Sequence, residues 1–271
     1  MPLSSEELAL GIRRESLKMV ARARASHIGG ALSMADLLAV LYTDVLRVNP
    51  NESEWRERDR FILSKGHSCV GLYATLALKE FFPVEDLRKY GTDGSPLMAH
   101  VSHKLPGIEF STGSLGHGLP FGVGKALAAK RRKLDWRVFV MLSDGELDEG
   151  SNWEAVLFAP QHALDNLVVV VDYNGIQSLG RVGEVLELEP LADKLRAFRW
   201  NVVEVDGHNH GALREAFSGT NLPPGVPTCV IARTIKGKGV SFMENELLWH
   251  YRSPDENQLR RALQELGSTT D

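Results

Sequence analysis

Two short turns hold the residues best suited to chemistry. The first is Ser143-Asp144-Gly145-Glu146-Leu147-Asp148-Glu149-Gly150, and the second, about thirty residues on, is Asp172-Tyr173-Asn174-Gly175-Ile176. Asp144 supplies a hard anionic oxygen and Asn174 a neutral carbonyl oxygen. The backbone carbonyl of Ile176 lies just beyond and can supply a third. Oxygen ligands with room left for water and phosphate oxygens suit Mg²⁺, or Ca²⁺ or Mn²⁺ in its place, bound together with a diphosphate. Gly145 lets the backbone approach a phosphate closely, and the turn lies at a helix start, where free N–H groups favour anions. An ordinary acidic cap would account for Asp144 alone, but not for the glycine and the distant asparagine together.

The elements that must position these turns follow from the apolar pattern. Val138-Phe139-Val140-Met141-Leu142 runs straight into the first turn, and Leu167 to Val171 into the second. Both are short, rich in β-branched or large apolar residues, and read as buried strands. About a dozen residues of helical character separate them. This is a strand–helix–strand unit of a parallel sheet, whose ligands sit at the carboxyl ends of the strands. Further strands are expected near 61, 201 and 228, giving a three-layer α/β/α fold with a mostly parallel five-stranded sheet. Pro160 should kink or shorten the helix after Glu149. Ser4 with Glu7 makes a capping box for a first helix ending near Ala25, and Ser33 with Asp36 is expected to open a second. Pro190 should open a later helix, and the last is expected from about 254 to 266.

Other strand ends carry further candidates. Ser64-Lys65-Gly66-His67 follows the first strand, and His67 there can donate to a phosphate. Lys236 follows the last strand in Lys236-Gly237-Lys238-Gly239. His27 is expected in a Gly-bearing turn between two helices. His100 and His103 lie in an irregular segment, without a Cys or third His at zinc spacing. Thr112-Gly113-Ser114-Leu115-Gly116 is a Gly-rich lead into a helix, with neither a P-loop nor a Rossmann fingerprint. The run Lys130-Arg131-Arg132-Lys133 reads as a solvated helix end.

Composition narrows the class. The chain has 271 residues, 43% apolar and 24% charged, which suits one large domain over 1–271, with 240–271 as a tail carrying His250. A net charge of −4 gives no electrostatic case for nucleic acid. No run approaches the roughly 20 apolar residues of a membrane span, and no signal pattern opens the chain. Cys69 and Cys229 lack paired spacing, so a cytoplasmic setting is the default.

In order, these landmarks resemble transketolase. The matching pieces are Ser-His-Ile-Gly-Gly around His27, Leu-Ser-Lys-Gly-His around His67, His100, Thr-Gly-Ser-Leu-Gly, the Asp-Gly…Asn motif of thiamine-diphosphate enzymes, and Lys-Gly-Lys-Gly…Trp-His ending at His250. The resemblance spans about residues 10 to 252, and covers only the amino-terminal, diphosphate-binding portion of that family. It implies that Asp144, Asn174 and the Ile176 carbonyl hold Mg²⁺, and that Gly145 and His67 contact the diphosphate of thiamine diphosphate. It implies that Gly113, Ser114 and Leu115 line the cofactor, that Lys236 is nearby, and that His27, His100 and His250 reach the sugar hydroxyls, with His27 and His250 as candidate bases. Glu149 matches a carboxylate used in subunit contacts. Five positions depart from the usual pattern: Ser143 and Tyr173 flank the metal motif, His117 stands for Gln, Tyr251 for Gly, and Gly30 for a small hydroxyl residue.

In the family, the glutamate that activates the cofactor and the arginines that grip a sugar phosphate lie in a second, pyrimidine-binding module. The resemblance therefore implies the amino-terminal subunit of a split transketolase. It would form a heterotetramer with a separate carboxyl-terminal subunit, two copies of each, and work on small sugar substrates. Two alternatives stay open: the diphosphate-binding subunit of a 2-oxo-acid dehydrogenase or related synthase, and a non-catalytic thiamine-diphosphate-binding module.

Overall fold

A computed structural model describes residues 3–267. Its five strands are β1 (Arg60–Leu63), β2 (Val138–Ser143), β3 (Leu167–Tyr173), β4 (Asn201–Asp206) and β5 (Thr228–Arg233). They lie in the order β1-β2-β3-β5-β4, and every pairing is parallel. The three central strands are buried along almost their whole length, as a parallel sheet covered on both faces requires. β4 is an edge strand and remains half exposed.

Side-chain alternation divides the apolar residues between two cores. Phe139, Met141, Val168, Val170, Val230 and Ala232 face one layer. It contains α1 (Ser5–Ala23), α2 (Ile28–Ser33), α3 (Ala35–Val40), α4 (Cys69–Leu78), α9 (His210–Ala216) and α10 (Glu256–Glu265). Val138, Val140, Leu142, Val169, Val171 and Ile231 face the other. There lie α5 (Gly118–Arg131), α6 (Gly150–Gln161) and α8 (Leu191–Ala197), while α7 (Val182–Val185) is a single turn after β3. Gly122 lets α5 approach β2, since a Cβ there would sit 2.5 Å from Val140 Cγ2.

Several expectations hold, among them the Ser4–Glu7 capping box, the helix start just after Pro190 and the end of α6 one residue beyond Pro160. Others need correction. α1 stops at Ala23, where Arg24 turns left-handed. The second helical stretch starts at Ile28, directly after His27, and not at Ser33. Ser33 and Asp36 are not caps: the Ser33 hydroxyl donates to Asp172 at 2.6 Å, and Asp36 pairs with Arg13. Gly29 and Gly30 are therefore helical, and His27 is the residue before the helix, at φ 70°. The last helix is shorter than its pattern suggests, beginning at Glu256 after an Asp255 cap.

Candidate functional site

Parallel register sets the strand ends side by side. Leu63 pairs with Met141, Ser143 with Asp172, and Tyr173 with Arg233. The segments leaving β1, β2, β3 and β5 therefore emerge together, carrying Lys65 and His67, Asp144, Asn174, and Lys236. They open a cavity of about 410 Å³ lined by His27, Gly30, His67, His100, Gly113, Leu115, Asp144, Gly145, Asn174, Ile176, Lys236 and His250, among others. Nearly every residue singled out in the sequence faces this one space. Ser114 does not: it is exposed and outside the lining. His117 is likewise exposed, whereas Glu149 reaches the rim.

The oxygen set is built by the two turns gripping each other. Asp144 is 1% exposed. Its Oδ2 accepts the Gly175 N–H at 2.6 Å and its Oδ1 the Gly145 N–H at 2.7 Å, so Asp144 reaches across to the 174–176 turn. Burial, followed by the nearby charge of Asp172, raises its pKa against the pull of those two amides. A carboxylate held charged at such a place gains from a cation. Asn174 Oδ1 accepts the Ile176 N–H at 3.2 Å, and the Ile176 carbonyl accepts Lys236 Nζ at 2.8 Å. Each of these oxygens keeps a second lone pair. Among the described residues no three His, Cys, Asp or Glu side chains cluster as a metal cage. A cation here must draw its remaining ligands from amide, carbonyl, water or phosphate oxygens, which is the preference of Mg²⁺.

Positive and donor groups face this set. Lys236 is 2% exposed, and burial pushes its pKa down to about 8, with Asp144 pulling the other way. Gln177 Nε2 is buried without a hydrogen bond. It lies close enough to Asp148 to oppose the burial-driven rise of that carboxyl's pKa. A Cβ at position 145 would fall 3.0 Å from Gln177 Cγ, so glycine keeps this corner open. An orphaned amide donor, a lysine and a bare glycine turn beside three hard oxygens fit a metal-bound diphosphate.

Four histidines form the opposite wall. The His27 ring centroid lies 4.8 Å from that of His250, 5.1 Å from His67 and 6.4 Å from His100. The His27 N–H donates to the His250 carbonyl at 2.9 Å, and His250 Nδ1 lies 3.2 Å from Lys236 Nζ. Burial, then the neighbouring His100 and Lys236, push the His27 pKa down to about 4. Burial, then Lys236 and His27, take His250 to about 3, and His67 also falls well below its usual value, chiefly through burial. These three imidazoles are neutral at pH 7, so each ring offers one proton acceptor.

Beneath the cavity lies polar machinery that spacing did not reveal. Asp172, fully buried, accepts from Lys65 Nζ, Ser33 Oγ and Thr234 Oγ1. Lys65 also donates to the Gly30 carbonyl at 3.0 Å, bracing the helix that begins after His27. Glu146, also fully buried, accepts from Ser64 Oγ and from the Gly116 and Ser143 amides, tying the glycine-rich loop to two strand ends. Asp36 bonds Arg13, His208 and His210, and His208 Nε2 accepts the Ile235 N–H beside Lys236. Burial works against the Asp36 charge, but the two histidines and the arginine hold its pKa far below the carboxylate range. Only the acidic residues in the first turn gave any sequence signal for this layer, and it did not distinguish Glu146 from its neighbours.

Known proteins share this arrangement. Residues 4–271 match the family described as transketolase, thiamine diphosphate binding domain. One of the two subunits of an apulose-4-phosphate transketolase from Phocaeicola vulgatus is 41% identical over 255 residues, covering 94% of this chain and 91% of that protein. A 6-deoxy-6-sulfo-D-fructose transketolase subunit, SqwG, of Clostridium sp. is 41% identical over 256 residues, covering 94% and 93%. The solved transketolase of Leishmania mexicana superposes with a TM-score of 0.92 at 30% identity, covering 98% of this chain, which spans 42% of that longer one. The chain belongs to the transketolase family, as its thiamine-diphosphate-binding part.

Proposed function

We propose that this chain is the amino-terminal subunit of a split transketolase, which with a separate carboxyl-terminal subunit transfers a two-carbon ketol unit from a ketose to an aldose. The observation that carries the reading is the single cavity at the strand ends. It joins a hard-oxygen set, Asp144, Asn174 and the Ile176 carbonyl, to a wall of four histidines. A 2-oxo-acid has no run of hydroxyl groups for His27, His100 and His250 to address, so the histidine wall favours a sugar.

In this reading Asp144, Asn174 and Ile176 hold Mg²⁺, while His67, Gly145, Lys236 and His250 face the diphosphate, and Gly113 and Leu115 line the cofactor. Ser114 contributes through its backbone, its side chain being exposed. Thiamine diphosphate, when bound, supplies the carbon nucleophile and electron sink for cleaving the bond beside a ketose carbonyl. The chain's own part is to bind, orient and move protons. His27 and His250 keep acceptor nitrogens free at neutral pH because burial disfavours their charged forms. Either can take the proton of a sugar hydroxyl as the carbon–carbon bond breaks. His100, whose carbonyl is anchored by the Tyr73 hydroxyl at 2.8 Å, stands at the open side.

The partner would bring a pyrimidine-binding module and its activating glutamate, two copies of each chain forming a heterotetramer with sites at the interfaces. A cytoplasmic setting fits the two buried free thiols, and among the described residues no helix is long and apolar enough to cross a membrane. The test is ketol transfer by the purified chain with and without its partner, using phosphorylated and sulfonated ketoses, the classes named for the two relatives. Turnover only with both chains is expected. Full turnover by the isolated chain would refute the split arrangement.

A further inference from the structure

The segment between β3 and α7 carries the Ile176 carbonyl yet has little to hold it. It folds back on itself as a small hairpin, with Ile176 bridging Arg181 and the Gln177 N–H donating to the Gly180 carbonyl at 2.8 Å. Its tip, Ser178 and Leu179, lies outside both cores, and Leu179 is 78% exposed. Apolar packing therefore contributes little there. Among the described residues, one hydrogen bond joins this tip to another element: the Tyr251 hydroxyl donates to the Ser178 carbonyl. Tyr251 follows His250 directly. Its ring stands edge-on to the His250 ring at 5.1 Å, and its N–H donates to the Leu248 carbonyl at 3.1 Å. Both ends of this bridge border the cavity, since Ser178 and His250 are part of its lining.

We infer that Tyr251 is a positioning residue that latches the hairpin tip across the mouth of the cavity, so that the Ile176 carbonyl is already presented before the metal and diphosphate arrive. The inference rests on the metal assignment of the proposed function. Two anchors act on the same short segment: Lys236 holds Ile176 from within, and Tyr251 holds Ser178 from the rim. With the hydroxyl removed, the tip keeps only its internal bonds. Cation binding must then also order the hairpin, and its apparent affinity falls by that ordering cost. The ring and its contact with His250 survive the loss of one oxygen, so the sugar-facing histidines are undisturbed.

Tyr251→Phe and Tyr251→Gly separate the two parts of the side chain. In the full chain without cofactor, hydrogen exchange at amides 177–180 should quicken equally in both variants, while protection in β2 and β3 stays as in the parent. In the complex with its partner, the Mg²⁺ concentration that half-saturates thiamine diphosphate binding should rise about two- to tenfold in Tyr251→Phe, the range expected for one lost hydrogen bond. The ketose KM at saturating Mg²⁺ should be unchanged in Tyr251→Phe and altered in Tyr251→Gly, which also removes the ring beside His250. Unchanged exchange at 177–180 in Tyr251→Phe would overturn the latch, as would an unchanged Mg²⁺ requirement. The exchange experiment needs neither metal nor cofactor. A parent complex that binds no thiamine diphosphate would thus sink the functional reading, while the latch would still be judged on exchange.

Discussion

Replacing Lys65 by Met tests whether the ion pair under the cavity is an organising contact. The Lys65 and Asp172 side chains are 1% and 0% exposed, with Nζ 2.5 Å from Oδ2. Removing one member of a buried pair costs about 3–5 kcal/mol, mostly as the penalty of a charge left uncompensated. Asp172 keeps the Ser33 and Thr234 hydroxyls, which places Lys65→Met near the lower end, about 3 kcal/mol. Asp172→Asn strands the ammonium instead. In the double variant neither charge remains, so it should be more stable than the two single losses added together, with a coupling of about 2 kcal/mol, within the range for contacting residues. Urea unfolding of the four chains, free of ligand, gives this cycle directly, provided the slope with urea is constant. The site supplies a second readout. Lys65 is one of the charges that depress the His67 and His250 pKa values, so titration of those rings in Lys65→Met should move upward. Single losses that simply add, to within about 0.5 kcal/mol, with unmoved histidine titrations, would refute the argument.

Two further outcomes follow from the same geometry. Asp144→Asn preserves an acceptor for the Gly145 and Gly175 amides but removes the charge. Thiamine diphosphate binding by the complex should lose its response to Mg²⁺ in calorimetry, and an undiminished response would remove Asp144 from the metal site. The pH dependence of stability comes from histidines whose folded pKa values, about 4 for His27 and about 3 for His250, lie below the ordinary value of 6.5. The unfolded chain binds these protons first, so their stabilising contribution is complete above pH 6.5 and is lost as pH falls toward 4 and then 3. The melting temperature of the ligand-free chain should fall over that window, and His27→Asn should flatten part of the fall. Parallel curves for parent and variant would exclude His27 as a source.

The sheet is legible in the sequence because its strands are short apolar runs that stop abruptly at polar, chemistry-bearing residues. Leu142 gives way to Ser143-Asp144 and Val171 to Asp172-Tyr173-Asn174 within two residues, and parallel pairing brings such strand ends together. The helix boundary near His27 is hard to read because two adjacent glycines look like a break. Here they serve packing. A Cβ on Gly29 would lie 3.0 Å from Lys236 Cγ, and one on Gly30 2.9 Å from Ser68 Oγ. Glycine inside a helix costs about 1 kcal/mol relative to alanine, and close approach to the Lys236 and Lys65 side chains is what it permits. The buried network is hidden for another reason. Lys65 and Asp172 are 107 positions apart, and no local pattern marks which lysine will meet which aspartate. Glu146 stands among the acidic residues of one turn, and only its contact with Ser64 and Gly116 distinguishes it.

The outer margin of the sheet has a bearing on how the protein behaves at high concentration. A free strand flank presents unpaired amides and carbonyls that another copy can extend. On β4, Glu204 lies at that margin and is engaged with Arg233 and Arg196, and Asp206 ends the strand with exposed charge. These charges make stacking of one molecule's rim on the next electrostatically unfavourable, and so guard the molecule against fibrillar self-assembly.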